Sequence, residues 1–233
     1  MKVIKSLFVF LLIGLLTSCN NFKVMTKCPD GIIEWVDMVM IQDIKYQHHF
    51  PDSPDENQQI SVEKGKELGK VTYKMADRAC SNHKMRNGDA TFLEEGTTIH
   101  AIEGYPSSLI VFANDKVYVA ETHPKATTAG ELYPIDNLVK DIHIESTEDG
   151  RRVHSFSQES KDHFLKIWPT LKLVDRETLY DQDGTSVFIE IELNNGVSFR
   201  EVYWPQSNTF HSGIVGNKEI KEIVEYELSM ITK

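Results

Sequence analysis

Two pairs of carboxylates in the chain have the spacing of acid–base groups. Glu94-Glu95 follows a short extended run, and Glu190 and Glu192 alternate along a predicted strand. Alternation places both side chains of the second pair on one face of the strand. We predict that the first pair lies in a turn and that the second faces solvent. Because neither setting predicts a shifted pKa, we do not expect either pair to be catalytic.

The histidines and one acidic loop are the candidates for metal binding. His48-His49 could join His83 or His123, but neighbouring residues of an extended segment point to opposite sides. We therefore predict solvated loop histidines. Asp181-Gln182-Asp183-Gly184 starts like a calcium loop, yet its glycine comes at the fourth position instead of the sixth, and the segment continues into a predicted strand. We predict a plain turn there and no bound metal.

No nucleophile or phosphate-binding motif is present in the sequence. There is no G-x-S-x-G, no histidine–acid arrangement that singles out one serine, and no glycine-rich phosphate loop. We expect no cofactor and name no catalytic residue. The aromatic residues Trp35, Tyr105 and Trp204 are the candidates for lining a ligand groove, and the alternative is that they are core or hairpin-end residues.

The N-terminus has the layout of a secretory signal. Lys2 and Lys5 precede an apolar segment of eleven residues, Ser6–Leu16, which would form a helix only about 16 Å long, too short to cross a bilayer. The next residues complete the sequence Leu16-Thr17-Ser18-Cys19, which resembles the lipobox of bacterial lipoproteins. That resemblance implies cleavage before Cys19, attachment of a diacylglyceryl lipid to its sulfur, and a protein held at the extracytoplasmic face of the cell membrane.

If Cys19 carries lipid, Cys28 and Cys80 remain as an even pair in an exported protein. A disulfide between them would close a loop of about 50 residues and contribute roughly 4 kcal/mol in the chain-entropy model. The alternative is two unpaired thiols. No zinc-type spacing of cysteine and histidine occurs.

The charge of the chain limits its partners. Loss of Lys2 and Lys5 with the signal lowers the net charge from −10 to −12, and no basic cluster remains. We expect no nucleic-acid partner, and we expect membrane attachment to depend on the lipid rather than on attraction to anionic headgroups.

The segment patterns predict an α+β protein in which a β-rich half precedes a β-β-α-β-β-α unit. The predicted divisions are a signal peptide at 1–18, a tether at 19–31, a β-rich domain at 32–135 and an α+β domain at 136–233. In the β-rich part, Asn114-Asp115 has the composition of a hairpin turn.

The predicted α+β domain at 136–233 has recognisable strand and helix boundaries. Strands are predicted on both sides of Glu148-Asp149-Gly150, and Ser157 and Asn217 are predicted to cap the two helices. We expect both helices to pack on one face of an antiparallel sheet.

The turn Asn194-Asn195-Gly196 allows two hairpin registers, and we choose the one that pairs Glu190 with Arg200, because the other sets Glu190 against Glu201.

A further resemblance covers most of the mature chain. The stretches Asn87–Leu93, Gly96-Thr97, Gly104-Tyr105 and Ser198–Pro205 are similar to those of a group of small lipoproteins of spore-forming, Bacillus-like Gram-positive bacteria. The resemblance implies an exported, membrane-tethered protein and brings no catalytic residue with it.

Taken together, these features favour a non-enzymatic envelope lipoprotein that binds a protein, a peptide or a small ligand. The alternative is a hydrolase acting on cell-wall or extracellular substrate, which would need acid, base or nucleophile side chains to converge in the folded chain.

Overall fold

The structure is a computed structural model that describes residues 28, 35–48, 60, 62–179 and 184–231. The predicted signal peptide, the predicted acylation site Cys19, nearly all of the predicted tether, His49 and the acidic stretch Asp181–Asp183 lie outside these residues. Among the described residues, no helix has the length and apolar character needed to span a bilayer.

The described residues belong to two compact units. One contains Cys28 and Cys80–His83, and the other contains the remainder. In the smaller unit, Cys28 and Cys80 are joined by a disulfide with a Cα–Cα distance of 5.0 Å. This is the pairing that the sequence left open against two free thiols.

The larger unit contains an eight-stranded sheet made from the first half of the chain. Its spatial order is β3-β6-β7-β8-β2-β1-β5-β4, antiparallel except between β4 and β5. The strands are β1 (Met38–Ile41), β2 (Ile44–His48), β3 (Lys64–Lys70), β4 (Tyr73–Lys74), β5 (Asp89–Ala90), β6 (Thr98–Ile102), β7 (Ile110–Ala113) and β8 (Lys116–Thr122). The predicted turn at Asn114-Asp115 connects β7 to β8, and both residues have positive φ, 48° and 60°, as a type I′ hairpin requires.

The second sheet has seven strands and comes entirely from the second half of the chain. Its order is β10-β9-β12-β13-β14-β15-β11, and all its pairs are antiparallel. The strands are β9 (Val139–Glu145), β10 (Arg152–Ser155), β11 (Lys172–Leu173), β12 (Val187–Leu193), β13 (Ser198–Trp204), β14 (Thr209–Phe210) and β15 (Ile214–Val215). The predicted hairpin register is confirmed, since Glu190 lies opposite Arg200 and Gly196 has a φ of 85°.

In the part of the chain that the structure describes, four helices complete the mixed α+β fold. They are α1 (Met75–Arg78), α2 (Ala129–Leu132), α3 (Gln158–Ile167) and α4 (Lys218–Ile231), with short 3-10 turns at Trp168–Thr170 and Arg176–Thr178. The two predicted caps are present: Ser157 accepts a hydrogen bond from the Ser160 N–H, and Asn217 accepts one from the Ile220 N–H. The α+β class is confirmed, but the short strands β11, β14 and β15 are additions to the predicted element order.

One hydrophobic core extends through both sheets of the larger unit. Val119 of the first sheet and Ile189 of the second belong to the same cluster of buried residues. Trp168, fully buried, stacks on Phe164 of α3 at 5.1 Å and meets Phe210 of β14 edge-on at 5.4 Å. The predicted division between residues 135 and 136 therefore separates the two sheets along the chain, while the core is common to both.

Glu227 fixes α4 to the start of α3. Its carboxylate, in a residue only 1% exposed, lies 2.5 Å from His154 Nε2 and accepts hydrogen bonds from the Ser157 hydroxyl and N–H at 2.9 and 3.1 Å. Burial raises the pKa of Glu227, but the hydrogen bonds from Ser160, His154 and Ser157 outweigh it and leave the pKa below its usual value.

We expect Glu227→Gln to lower the free energy of unfolding by about 2 kcal/mol at pH 7, because charge-assisted hydrogen bonds are lost inside the fold. Since the folded pKa lies below that of the unfolded chain, this contribution is present above pH 4.5 and disappears as the pH falls through the folded pKa. Urea unfolding at pH 7 and pH 3 measures both effects, with the exposed Glu225→Gln as control. A difference from wild type that is the same at both pH values would contradict this assignment.

Candidate ligand-binding site

A cavity of about 470 Å³, here called the apolar cavity, opens between the end of β8 and the β11 region. Its surface is more apolar than polar, as is usual for small-molecule sites. Its walls are formed by Met40, Asp43, Lys45, Glu121, Thr122, His123, Pro124, Ala126, Leu132, Leu173, Val174, Asp175, Arg176 and Ser212.

Two local structures position the cavity wall. The β1–β2 hairpin turns through Gln42 and Asp43, both with positive φ, and the following strand sets Lys45 opposite Thr122 of β8. On the far side, Thr128 caps α2 through its hydroxyl and the backbone N–H of Leu173 donates to the carbonyl of Thr127, which fastens β11 beside α2.

Most of the charges in the wall already have partners. Arg176 Nη1 lies 2.7 Å from Glu121 Oε1, and Asp43 lies 3.8 Å from Lys125. Asp175 accepts a hydrogen bond from the Glu177 N–H as the cap of a 3-10 turn. Because these carboxylates already have partners, they have less capacity to bind a ligand.

Lys45 and His123 differ from their neighbours in the wall. Within the described part of the chain, Lys45 forms no ion pair, and the buried Nδ1 of His123 has no hydrogen-bond partner. Buried polar atoms usually have a partner, so an unpartnered one beside a cavity indicates where a ligand atom would bind. Both residues line the apolar cavity, and Lys45 pairs in the sheet with Thr122, the residue before His123.

A buried acid lies behind this wall. Glu201 of β13 is 2% exposed, and the backbone N–H of Ser212 donates to its carboxyl at 3.2 Å. Burial raises the pKa of Glu201 to about 7, although hydrogen bonds from Ser212 and Tyr133 act in the opposite direction. Burial also raises the pKa of Tyr133, as do the nearby carboxylates Glu201 and Glu121. Ionisable groups perturbed in this way are common beside binding sites.

A second cavity of about 460 Å³, here called the polar cavity, shares Glu121 with the first. Its wall combines β2 and β8 of the first sheet with β9, β12 and β13 of the second. Arg200 lies in this wall, with its guanidinium 2.5 Å from Glu145 and stacked 4.6 Å above the ring of Phe188. The two cavities are therefore neighbours with one carboxylate in common.

The prediction that Glu190 and Glu192 face solvent is wrong. They are 5% and 2% exposed, and both are bound by Arg152: its Nε and Nη2 hold Glu190 at 2.6 and 2.9 Å, and its Nη1 holds Glu192 at 2.8 Å. Alternation along β12 correctly predicted one shared face. The burial of that face depends on groups that are distant in sequence, so the strand alone could not predict it.

The three aromatic candidates do not form one site. Trp35 precedes β1 and is partly buried, while the Tyr105 hydroxyl accepts a hydrogen bond from the backbone of Asn195. Trp204 ends β13 and lies 6.2 Å from the ring of His211, which lines the polar cavity. None of the three lines either cavity, and their proposed role in ligand binding stays a prediction.

The histidine and calcium candidates are also dispersed. His48 lies in the polar cavity near Tyr118, and His123 lies in the apolar cavity. Within residues 28, 35–48, 60, 62–179 and 184–231, no three His, Cys, Asp or Glu side chains are grouped as metal ligands. Glu192, the last residue of the calcium-like spacing, is held by Arg152 and by Lys140 at 2.7 Å.

Sequence reasoning missed both cavities, since their walls combine residues from 40 to 212. A partial signal was available for His123, because it lies just beyond the end of β8, in a connecting segment of the kind in which binding residues are often found. Comparison of the chain with protein-family models, with curated proteins and with solved structures gives no match.

Proposed function

We propose that this protein is a lipid-anchored, extracytoplasmic binding protein that holds a small amphipathic anion in the apolar cavity. The anchor part of the proposal rests on the sequence Leu16-Thr17-Ser18-Cys19 and on the resemblance to small lipoproteins of spore-forming bacteria. The binding part rests on a single observation: Lys45, which has no described ion-pair partner, and His123, whose buried Nδ1 has no hydrogen-bond partner, both line the apolar cavity.

The chemistry of the wall selects the ligand. Leu132, Leu173 and Ala126 offer surface to an apolar body, which gains roughly 25 cal/mol for each Å² removed from water. Lys45 offers a cation that no described side chain neutralises, and His123 offers a nitrogen able to share a hydrogen bond. A carboxylate or similar acid group on a short apolar chain satisfies both requirements, whereas a cationic head would be repelled by Lys45.

The ligand class can be tested with simple probes on the full chain in a nonionic detergent. We expect hexanoate to raise the thermal midpoint of unfolding in a saturable way, because a ligand that binds the folded state stabilises it by mass action. Hexylammonium, with the same chain and the opposite charge, is expected to give no shift. Equal shifts from both probes would contradict the role assigned to Lys45.

Variants locate the binding site. We expect Lys45→Gln to weaken hexanoate binding about tenfold, since one charge-assisted contact is worth roughly 1.4 kcal/mol or more. Ala126→Phe should weaken it at least as much by filling the cavity. The matched control is Lys218→Gln, at a side chain that is 88% exposed on α4. Isothermal titration calorimetry measures the affinities, and loss of binding in the control as well would place the probe elsewhere.

The anchor has a separate test. We expect wild-type protein to fractionate with membranes and to carry a lipid mass adduct, and we expect a Cys19→Ala variant to lose both. If the variant and the wild type behave alike, the lipobox assignment fails, while the hexanoate experiment still reports on the cavity.

A further inference from the structure

A serine, a histidine and a glutamate form a hydrogen-bonded series across three strands of the second sheet. The Oγ of Ser155 on β10 lies 2.8 Å from Nδ1 of His143 on β9. Nε2 of the same ring lies 3.2 Å from Oε2 of Glu192 on β12. Nucleophile, base and acid within hydrogen-bond reach of one another are the arrangement that activates a serine hydroxyl.

An irregularity in β10 builds this arrangement. Arg152 pairs with Glu145, but His154 already pairs with Ile144 and Ser155 with His143, so Val153 is an extra residue in β10. In a regular strand, residues three apart would point to opposite faces. The bulge brings Arg152 and Ser155 to the same face, and bulges of this kind are over-represented beside active sites.

The glutamate is held in place by two cations. Lys140 Nζ lies 2.7 Å from Oε1, and Arg152 Nη1 lies 2.8 Å from Oε2. Glu192 is 2% exposed, so these contacts keep its carboxylate fixed against the ring of His143. A carboxylate paired in this way accepts hydrogen bonds and does not donate them.

The position of Glu192 determines the tautomer of His143. Because Oε2 is an acceptor, Nε2 of His143 must carry the proton that makes the 3.2 Å hydrogen bond. In the neutral ring, Nδ1 then has a lone pair directed at Ser155, whose hydroxyl donates across 2.8 Å. The histidine is thus set as a base toward the one exposed member of the series, Ser155.

We propose that Ser155 is the nucleophile of an acyl-transfer site that hydrolyses short-chain acyl esters, with His143 as general base and Glu192 as the positioning residue. This activity is separate from the binding proposed for the apolar cavity, since Ser155, His143 and Glu192 line neither cavity.

The reaction balances with water as its only co-substrate. The Oγ of Ser155 bonds to the ester carbonyl carbon while its proton passes to Nδ1 of His143, and Glu192 stabilises the resulting imidazolium. The tetrahedral intermediate collapses, the ester C–O bond breaks, and His143 gives the proton to the departing alcohol. Water, deprotonated by His143, then attacks the acyl-serine, releases the carboxylic acid and restores the Ser155 hydroxyl.

The location of Ser155 limits the substrate. It lies on β10, the terminal strand of the sheet, and Ser155 does not line any of the four cavities found among the described residues. A long acyl chain would find little surface to bury there, so an acetyl or similarly small acyl group on an accessible hydroxyl is the matching substrate.

Covalent labelling of the wild-type full chain is the first test, because it needs no variant to fold. A fluorophosphonate probe reacts with serines that a neighbouring base activates. We expect one adduct per chain, located at Ser155 by tandem mass spectrometry, together with turnover of p-nitrophenyl acetate. Absence of the adduct, or its location on another serine, overturns the proposal.

Variants then test the series itself. We expect Ser155→Ala to abolish the adduct and His143→Asn to slow labelling about 100-fold, the usual contribution of a general base. Glu192→Gln should slow labelling at least tenfold. The matched control is Glu227→Gln, which removes a buried carboxylate from the neighbouring histidine His154: it should lower the thermal midpoint and leave the labelling rate within twofold of wild type.

The comparison with Glu227→Gln separates a positioning role from a purely structural one. If the labelling rate follows the thermal midpoint in both glutamate variants, Glu192 acts only through stability and its role in the series is refuted. Labelling of Ser155 at the wild-type rate in His143→Asn would overturn the assignment of the base. Ser207→Ala, at a hydroxyl that bonds Thr209 and no histidine, should retain the adduct.

Discussion

Replacing both Cys28 and Cys80 with serine is expected to lower the free energy of unfolding by about 4 kcal/mol. The disulfide joins residues 52 apart in sequence, and in the chain-entropy model it removes many conformations of the unfolded chain that the open chain regains. The closed loop contains β1 to β4 and α1. A large share of the first sheet therefore belongs to a segment whose two ends are joined by the disulfide even in the unfolded chain.

Urea unfolding in oxidising buffer measures this effect as a lower midpoint, roughly 2 M lower for a slope near 2 kcal/mol per M. Dithiothreitol should bring the wild type to the midpoint of the double variant and leave the double variant unchanged. If the reductant shifts neither protein and their midpoints agree, the cross-link does not constrain the unfolded chain.

Glu201→Gln is expected to stabilise the protein at high pH and to have little effect at low pH. Burial raises the pKa of Glu201 from 4.5 to about 7 in the folded state. Between these values the folded protein holds a proton that the unfolded chain releases, so stability falls as the pH rises through this range. The contribution is fully present below pH 4.5 and is lost above pH 7.

The size of the effect follows from the shift. At about 1.4 kcal/mol per pKa unit, wild-type protein should lose roughly 3 kcal/mol relative to the glutamine variant between pH 4 and pH 9. Urea unfolding across this range measures the difference, with Glu222→Gln as control at a side chain 60% exposed on α4. If the free energies of unfolding of wild type and Glu201→Gln change with pH in the same way, burial does not destabilise the charged form of the Glu201 carboxyl.

The β12–β13 hairpin shows what the sequence could predict. Its strands, its turn at Asn194-Asn195-Gly196 and the pairing of Glu190 with Arg200 follow from local turn chemistry and from repulsion between like charges. The caps at Ser157 and Asn217 are predictable for the same reason, since a capping side chain and its N–H are three residues apart.

The partners of the same side chains could not be predicted. Arg200 lies opposite Glu190 in the ladder, yet its guanidinium binds Glu145, while Glu190 is bound by Arg152. These contacts join residues 55 and 38 apart and depend on the order of strands in the sheet, which no local pattern encodes.

The Ser155–His143 contact lies between these two cases. The strands on either side of Glu148-Asp149-Gly150 were predicted, and a hairpin there brings the two residues near each other. Their pairing, however, needs the extra residue in β10 that sets Ser155 opposite His143. A bulge leaves no clear mark in a single sequence, so the serine was not distinguished from the others.

The disulfide also determines how the chain would carry mechanical load. A pull on the segment before Cys28 passes through the sulfur bridge to Cys80 and continues into the chain beyond it, since the bridge is much shorter than the 52-residue path in parallel with it. The strands β1 to β4 lie within that longer path, so tension along the chain bypasses their backbone. In a protein held at its N-terminus, tension would therefore not pass along the backbone between Cys28 and Cys80 until the bridge is reduced.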